Sequence, residues 1–129
     1  MPALQTVTLT GTHVDAYKPT YMGYGVWKVK TPDNAASCVA NTTTEVPCQF
    51  NFVIPNDYAL LIMPIDDTNV VGVTNATVKP GMYINGGNQQ IRVNVMNITI
   101  NAAAPTANTD LCYLVLVKNN IKLNITDPL

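Results

Sequence analysis

The segment QQIRVNVMNITI (Gln89–Ile100) alternates apolar and polar side chains and then breaks step. Ile91, Val93 and Val95 share one face of an extended chain, because successive side chains of a strand point to opposite sides. Met96, Ile98 and Ile100 fall on the other face. An apolar phase can move without ending the strand if one extra residue enters as a β-bulge, which also bends the chain. The sequence therefore predicts a bulge or corner close to Val95 and Met96, of the kind that lets one strand serve both sheets of a sandwich. Met96, Ile98 and Ile100 would then be buried by the second sheet or by a neighbouring subunit, which makes them a candidate interface.

Short β-type runs recur on both sides of this segment, with turn residues between them. TVTLT (6–10) alternates cleanly, GYGVWKVK (23–30) shifts phase near Val26 and Trp27, and QFNFVI (49–54) puts Phe50, Phe52 and Ile54 inward. YALLIM (58–63) and LCYLVLV (111–117) are apolar on both faces, as expected of strands covered on both sides. NVVGV, ATV and MYI read as further short strands. IKLNIT (121–126) follows a two-residue turn at Asn119 and Asn120. Pro55-Asn56-Asp57, Lys79-Pro80-Gly81 and Asn85-Gly86-Gly87-Asn88 supply other turns, and no helical period is present. The expected fold is all-β: one antiparallel β-sandwich or jelly roll of about eight strands over residues 1–129.

Hydrophobic residues make up 47% of the chain and charged residues 12%, about half the usual charged share, so the surface must be polar by neutral means. Thr and Asn supply those groups; Ser37 is the single serine. Such a surface repels neighbours weakly and suits a chain packed against others. Together with the two-faced strands it predicts a homo-oligomer, most simply a trimer. The net charge is −1 and the seven cationic residues are scattered, which disfavours nucleic acid as a partner. The opening MPALQTVTLTGTH has no basic region followed by an apolar one, and no apolar run approaches a membrane span, so neither export nor a membrane is expected.

Catalytic and metal-binding patterns are equally thin. His13 is the lone histidine and would need Ser37 beside it for a nucleophilic relay. Cys38 and Cys48 lack the second ligand pair that zinc requires, and Gly86-Gly87 sits in no phosphate-binding motif. Asp66, Asp67 and Asn69 fall short of a calcium loop, and Glu45 is the only Glu available for a carboxylate pair. The expectation is a protein that is not an enzyme and holds no cofactor or metal.

Cys38 and Cys48 bracket VANTTTEVP, read as a polar loop, and are a candidate disulfide; the other reading is two reduced thiols in the core. Cys112, inside LCYLVLV, reads as a buried filler. Asn41, Asn75, Asn97 and Asn124 begin glycosylation sequons that so Asn- and Thr-rich a chain supplies largely by chance. Tyr21, Tyr24 and Trp27 would form a glycan platform if exposed, and packing residues if not.

In size, strand pattern and the opening MPALQTVTLTGTH, the chain resembles the small decoration (cement) proteins of tailed bacteriophage capsids. The resemblance implies a non-enzymatic virion structural protein that binds joints between capsid subunits. Its partners would be the major capsid protein or other virion subunits and further copies of itself, on the capsid surface after assembly in the host cytoplasm. The alternatives are a carbohydrate-binding or adhesive module and a pilus or tail subunit.

Overall fold

Eleven strands account for most of residues 8–10, 17–33, 35–66, 69–84 and 87–118, which the computed structural model describes. In chain order they are β1 (Thr8–Thr10), β2 (Thr20–Gly23), β3 (Val26–Lys30), β4 (Thr42–Val53), β5 (Tyr58–Pro64), β6 (Asn69–Val70), β7 (Val73–Thr74), β8 (Ala76–Val78), β9 (Gly81–Ile84), β10 (Asn88–Asn97) and β11 (Asp110–Lys118). One sheet has the order β1-β4-β10-β8 and the other β2-β3-β11-β5-β9, while β6 and β7 pair as a small separate ribbon. Every pairing is antiparallel, so the all-β expectation holds.

Most connections leave one sheet and enter the other. The Pro55-Asn56-Asp57 turn carries β4 of the four-stranded sheet into β5 of the five-stranded one, with Asp57 at φ 67°. Lys79-Pro80-Gly81 likewise takes β8 into β9, and the chain crosses back at β10. Each strand therefore lines the core with alternate residues. Val46, Cys48, Phe50 and Phe52 of β4 and Ile91, Val93 and Val95 of β10 meet Val29, Leu60, Ile62, Cys112 and Leu114 from the facing sheet, all buried. Each large apolar side chain removed from water contributes about 1.5–3 kcal/mol, opposed by the entropy of ordering the chain.

Two sequence expectations are corrected. VANTTTEVP is not a loop: its second half begins β4, at 12 residues the longest strand. β-Branched Thr and Val suit an extended chain, and inward Val46 continues the alternation of Cys48, Phe50 and Phe52. TYMG forms β2, and its hairpin to β3 turns through Gly23, Tyr24 and Gly25, all at positive φ. The bulge also moves. From Arg92 to Asn97 the register with β4 is unbroken, and the irregularity lies between Gln90 and Arg92 instead.

The phase change at residues 95–100 has another cause. Asn97 takes the inward position after Val95 and is fully buried, and the strand ends there. Its amide donates to Cys38 O at 3.1 Å and Asn101 O at 3.0 Å, while its Oδ1 accepts from Thr99 N and Thr99 Oγ1. Met96 is a half-buried outward residue, and Ile98 and Ile100 lie past the strand, 63% and 85% exposed. The second sheet does not cover them. The predicted turn at Asn119 and Asn120 and the strand at 121–126 lie outside the described residues, as do His13, Asp67, Asn85, Gly86 and Asn124.

Candidate functional site

The outward face of the four-stranded sheet carries a polar cluster centred on Arg92, the one arginine of the chain. Lys79 N donates to Asn94 O, so β10 turns the main chain of its even-numbered residues towards β8. β8 begins no earlier partner than this, and the main chain of Arg92, one step further along, lacks a strand beside it. Tyr83, reaching across from β9 of the other sheet, fills that position. Its hydroxyl accepts from Arg92 N at 2.9 Å and donates to Arg92 O at 3.0 Å. On the other side Arg92 pairs with Pro47, whose missing N–H costs no ladder bond because the Arg92 carbonyl is turned away and accepts from Tyr83 instead.

The Arg92 guanidinium leaves the sheet and meets Glu45 Oε1 at 2.7 Å and Gln90 Oε1 at 3.3 Å. Both charged side chains of this ion pair are about half exposed (50% and 49%), so it is worth about 1 kcal/mol at most. Its chemical content is a forked donor array, already occupied by one carboxylate, with the amide of Gln90 alongside donating to Cys48 O. Burial pushes the Tyr83 phenol above its ordinary range, against the opposing pull of its bond to the Arg92 main chain. The phenol therefore stays protonated and serves as a neutral bridge between the sheets.

The other sequence candidates do not gather around this cluster. Cys38, Cys48 and Cys112 are free, buried thiols; no staple joins Cys38 to Cys48. Burial pushes all three up, Cys48 to about 12, and each is a weak nucleophile for that reason. Trp27 is half-buried, its ring 4.9 Å from Tyr21 and 5.7 Å, edge-on, from Phe52, so it belongs to an aromatic chain running into the core. Tyr24 stands fully exposed at the tip of the β2–β3 hairpin, and Tyr21 is 58% exposed, its hydroxyl accepting from Gly25 N. These rings form no shared flat platform. Asn41 and Asn75 are exposed turn residues at φ 55° and 52°, whereas Asn97 is enclosed by its own hydrogen bonds. Asp33, Asp57, Asp66 and Asp110 are exposed at separate turns and strand ends. Among the described residues no three His, Cys, Asp or Glu side chains converge as metal ligands.

The sequence reading missed the Tyr83–Arg92 bridge. Its signal, an isolated Tyr in an edge strand and a lone Arg in a hydrophobic one, carries no spacing that points from one to the other.

No family model and no curated protein matches this sequence. Solved structures do match, over nearly the whole length of both chains. A mutant dUTPase of Staphylococcus bacteriophage 80alpha aligns over 98% of this chain and 99% of its own, with a TM-score of 0.72 at 9% identity. The 80alpha dUTPase itself aligns over 96% of each chain with a TM-score of 0.69 at 9% identity. A mutant dUTPase from phage phi11 of S. aureus, described with a structural Mg(II) ion, aligns over 97% of each chain with a TM-score of 0.66 at 10% identity.

These likenesses overturn the resemblance to capsid decoration proteins and the cement role drawn from it. The neighbours are enzymes, so the expectation that the chain does no chemistry falls as well, and neither the adhesive nor the pilus or tail reading gains support. A capsid protein as partner is likewise unsupported. Low surface charge misled because it fits any extensive contact between chains, whatever else the chains do. A site assembled from residues far apart in sequence leaves no local motif. At this level of identity, what the chain shares with the phage dUTPases is the fold.

Proposed function

We propose that this protein is a nucleotide hydrolase of the phage dUTPase type that works as a homo-oligomer, most simply a trimer. One observation carries the reading: the correspondence with phage dUTPases runs end to end, 98% of this chain against 99% of the other. Fold by itself does not fix function, and the residues must supply the rest. Within one protomer the described side chains offer a forked cation at Arg92, suited to a phosphate that displaces Glu45. They offer no converging carboxylates and no fit for a metal ion, so no step is routed through one. Self-association is supported by the chain's low charge and by strands that are apolar on both faces.

The test is release of pyrophosphate from dUTP by the purified full chain, with dTTP and dCTP as comparison substrates. Turnover of dUTP above the other two is expected, and Arg92→Ala should raise KM more than it lowers kcat. A chain that neither turns over dUTP nor binds its non-hydrolysable imido analogue removes the proposal.

A further inference from the structure

We propose that Arg92 and Lys79 form a binding site for a diphosphate unit on the outward face of the four-stranded sheet, with Glu45 as its internal competitor. The ligand class rests on the nucleotide-hydrolase reading, whereas the geometry comes from the sheet itself. Two of the three partners of Arg92 are fixed in place. The Tyr83 hydroxyl holds the main chain of Arg92 by both its N–H and its carbonyl. The Gln90 amide donates to Cys48 O at 3.0 Å, which turns its Oε1 towards the guanidinium at 3.3 Å. Glu45 differs from both. Its carboxylate meets the guanidinium at 2.7 Å, and among the described residues it has no other hydrogen-bond partner. It is the anion that can leave while the other two contacts keep Arg92 oriented.

A second cation stands on the same face. Val78 and Val95 are paired and both turned into the core, so their neighbours Lys79 and Asn94, joined by the bond from Lys79 N to Asn94 O, face outward and are exposed. Asn94 in turn pairs with Glu45, which sets Lys79, Asn94 and Glu45 in one row, with Arg92 in the next row on β10. Two steps along a strand and one step between strands separate the Arg92 and Lys79 main chains by about 8 Å. Their long side chains can close that span on two adjacent phosphates. The planar guanidinium takes one phosphate through parallel bonds, and the flexible ammonium meets the next as a point charge. Glu45 is the one acidic residue of β4, β8 and β10, so its departure leaves both cations to the ligand. A monophosphate engages one of the two; a diphosphate unit engages both.

Calorimetric titration of the full chain with pyrophosphate, and with inorganic phosphate for comparison, tests the site at low ionic strength. The wild-type chain is expected to bind pyrophosphate more tightly than phosphate. Glu45→Gln, which keeps the shape of the side chain and removes its charge, should tighten pyrophosphate about threefold to fivefold. Arg92→Ala and Lys79→Ala should each weaken it about tenfold, and Lys79→Ala should also narrow the preference for pyrophosphate over phosphate. All three positions are exposed, and the far-ultraviolet spectrum of each variant should keep its β character. A wild-type chain that does not bind pyrophosphate overturns the proposal. So does affinity that Glu45→Gln fails to raise, or that Lys79→Ala leaves unchanged. The hydrolase reading fails separately: a chain that binds pyrophosphate in the expected pattern without turning over dUTP keeps the site and loses the activity. Turnover of dUTP with a KM unmoved by Glu45→Gln and Lys79→Ala keeps the activity and loses the site.

Discussion

Asn97 occupies an inward position on β10 that the pattern Ile91, Val93, Val95 would give to another aliphatic residue. A buried amide is tolerable only when its donors and acceptor are met, and here two carbonyls and the Thr99 N–H and hydroxyl meet them. Asn97→Ala leaves those groups unpaired in the interior and should cost about 2–4 kcal/mol, read as a lower urea midpoint at unchanged m-value. Thr99→Ser, which keeps the hydroxyl, should cost well under half of that. The same logic governs the thiols. Cys48 has its thiol raised from 9.0 to about 12 by burial, so the folded form holds a proton that the unfolded chain releases. Its effect on stability is therefore nil below pH 9 and unfavourable above it, reducing stability by about 1.4 kcal/mol per pH unit between 9 and 12. Denaturant titrations at pH 8 and pH 10.5 should show this loss, and Cys48→Ala should lessen the slope. Neither residue advertised its role in the sequence: Asn97 read as part of a sequon, and Cys48 as half of a disulfide.

At the scale of single elements, strand periodicity was legible and strand ends were not. Alternation in 91–95 and in 50–54, and the doubly apolar runs 58–63 and 111–117, located four of the strands that build the core, because burial on a pleated sheet leaves a period of two in the sequence. Where β10 stops was hidden, since a saturated Asn ends the strand without a Gly or Pro to mark it. Thr42–Pro47 was hidden for the opposite reason: its outward residues are as polar as a loop, and of the residues it turns inward only Val46 is apolar. The Tyr83 hydroxyl completes β10 where β8 falls short, so Tyr83→Phe leaves both Arg92 main-chain groups without that partner. A loss of about 1–2 kcal/mol is expected, with faster amide exchange at Arg92 than at Val93 or Val95. Ile98→Ala, by contrast, should leave the stability of the isolated chain within about 0.5 kcal/mol of wild type, because Ile98 is 63% exposed.

Across the whole molecule, the proposed hydrolase chemistry has to be reconciled with a protomer whose described acids stand apart. The sequence foretold the sandwich because its strands repeat the same local pattern. It could not foretell the likeness to dUTPases, which lies in how strands are threaded between sheets and survives at 9% identity. Under the proposed hydrolase reading, the described acids of one protomer stand apart, and a site shared between copies would make activity follow assembly. Specific activity towards dUTP should rise with protein concentration across the dissociation range and level off once the oligomer is full. Constant specific activity through a range in which sedimentation shows the oligomer dissociating would place the whole site within a single protomer.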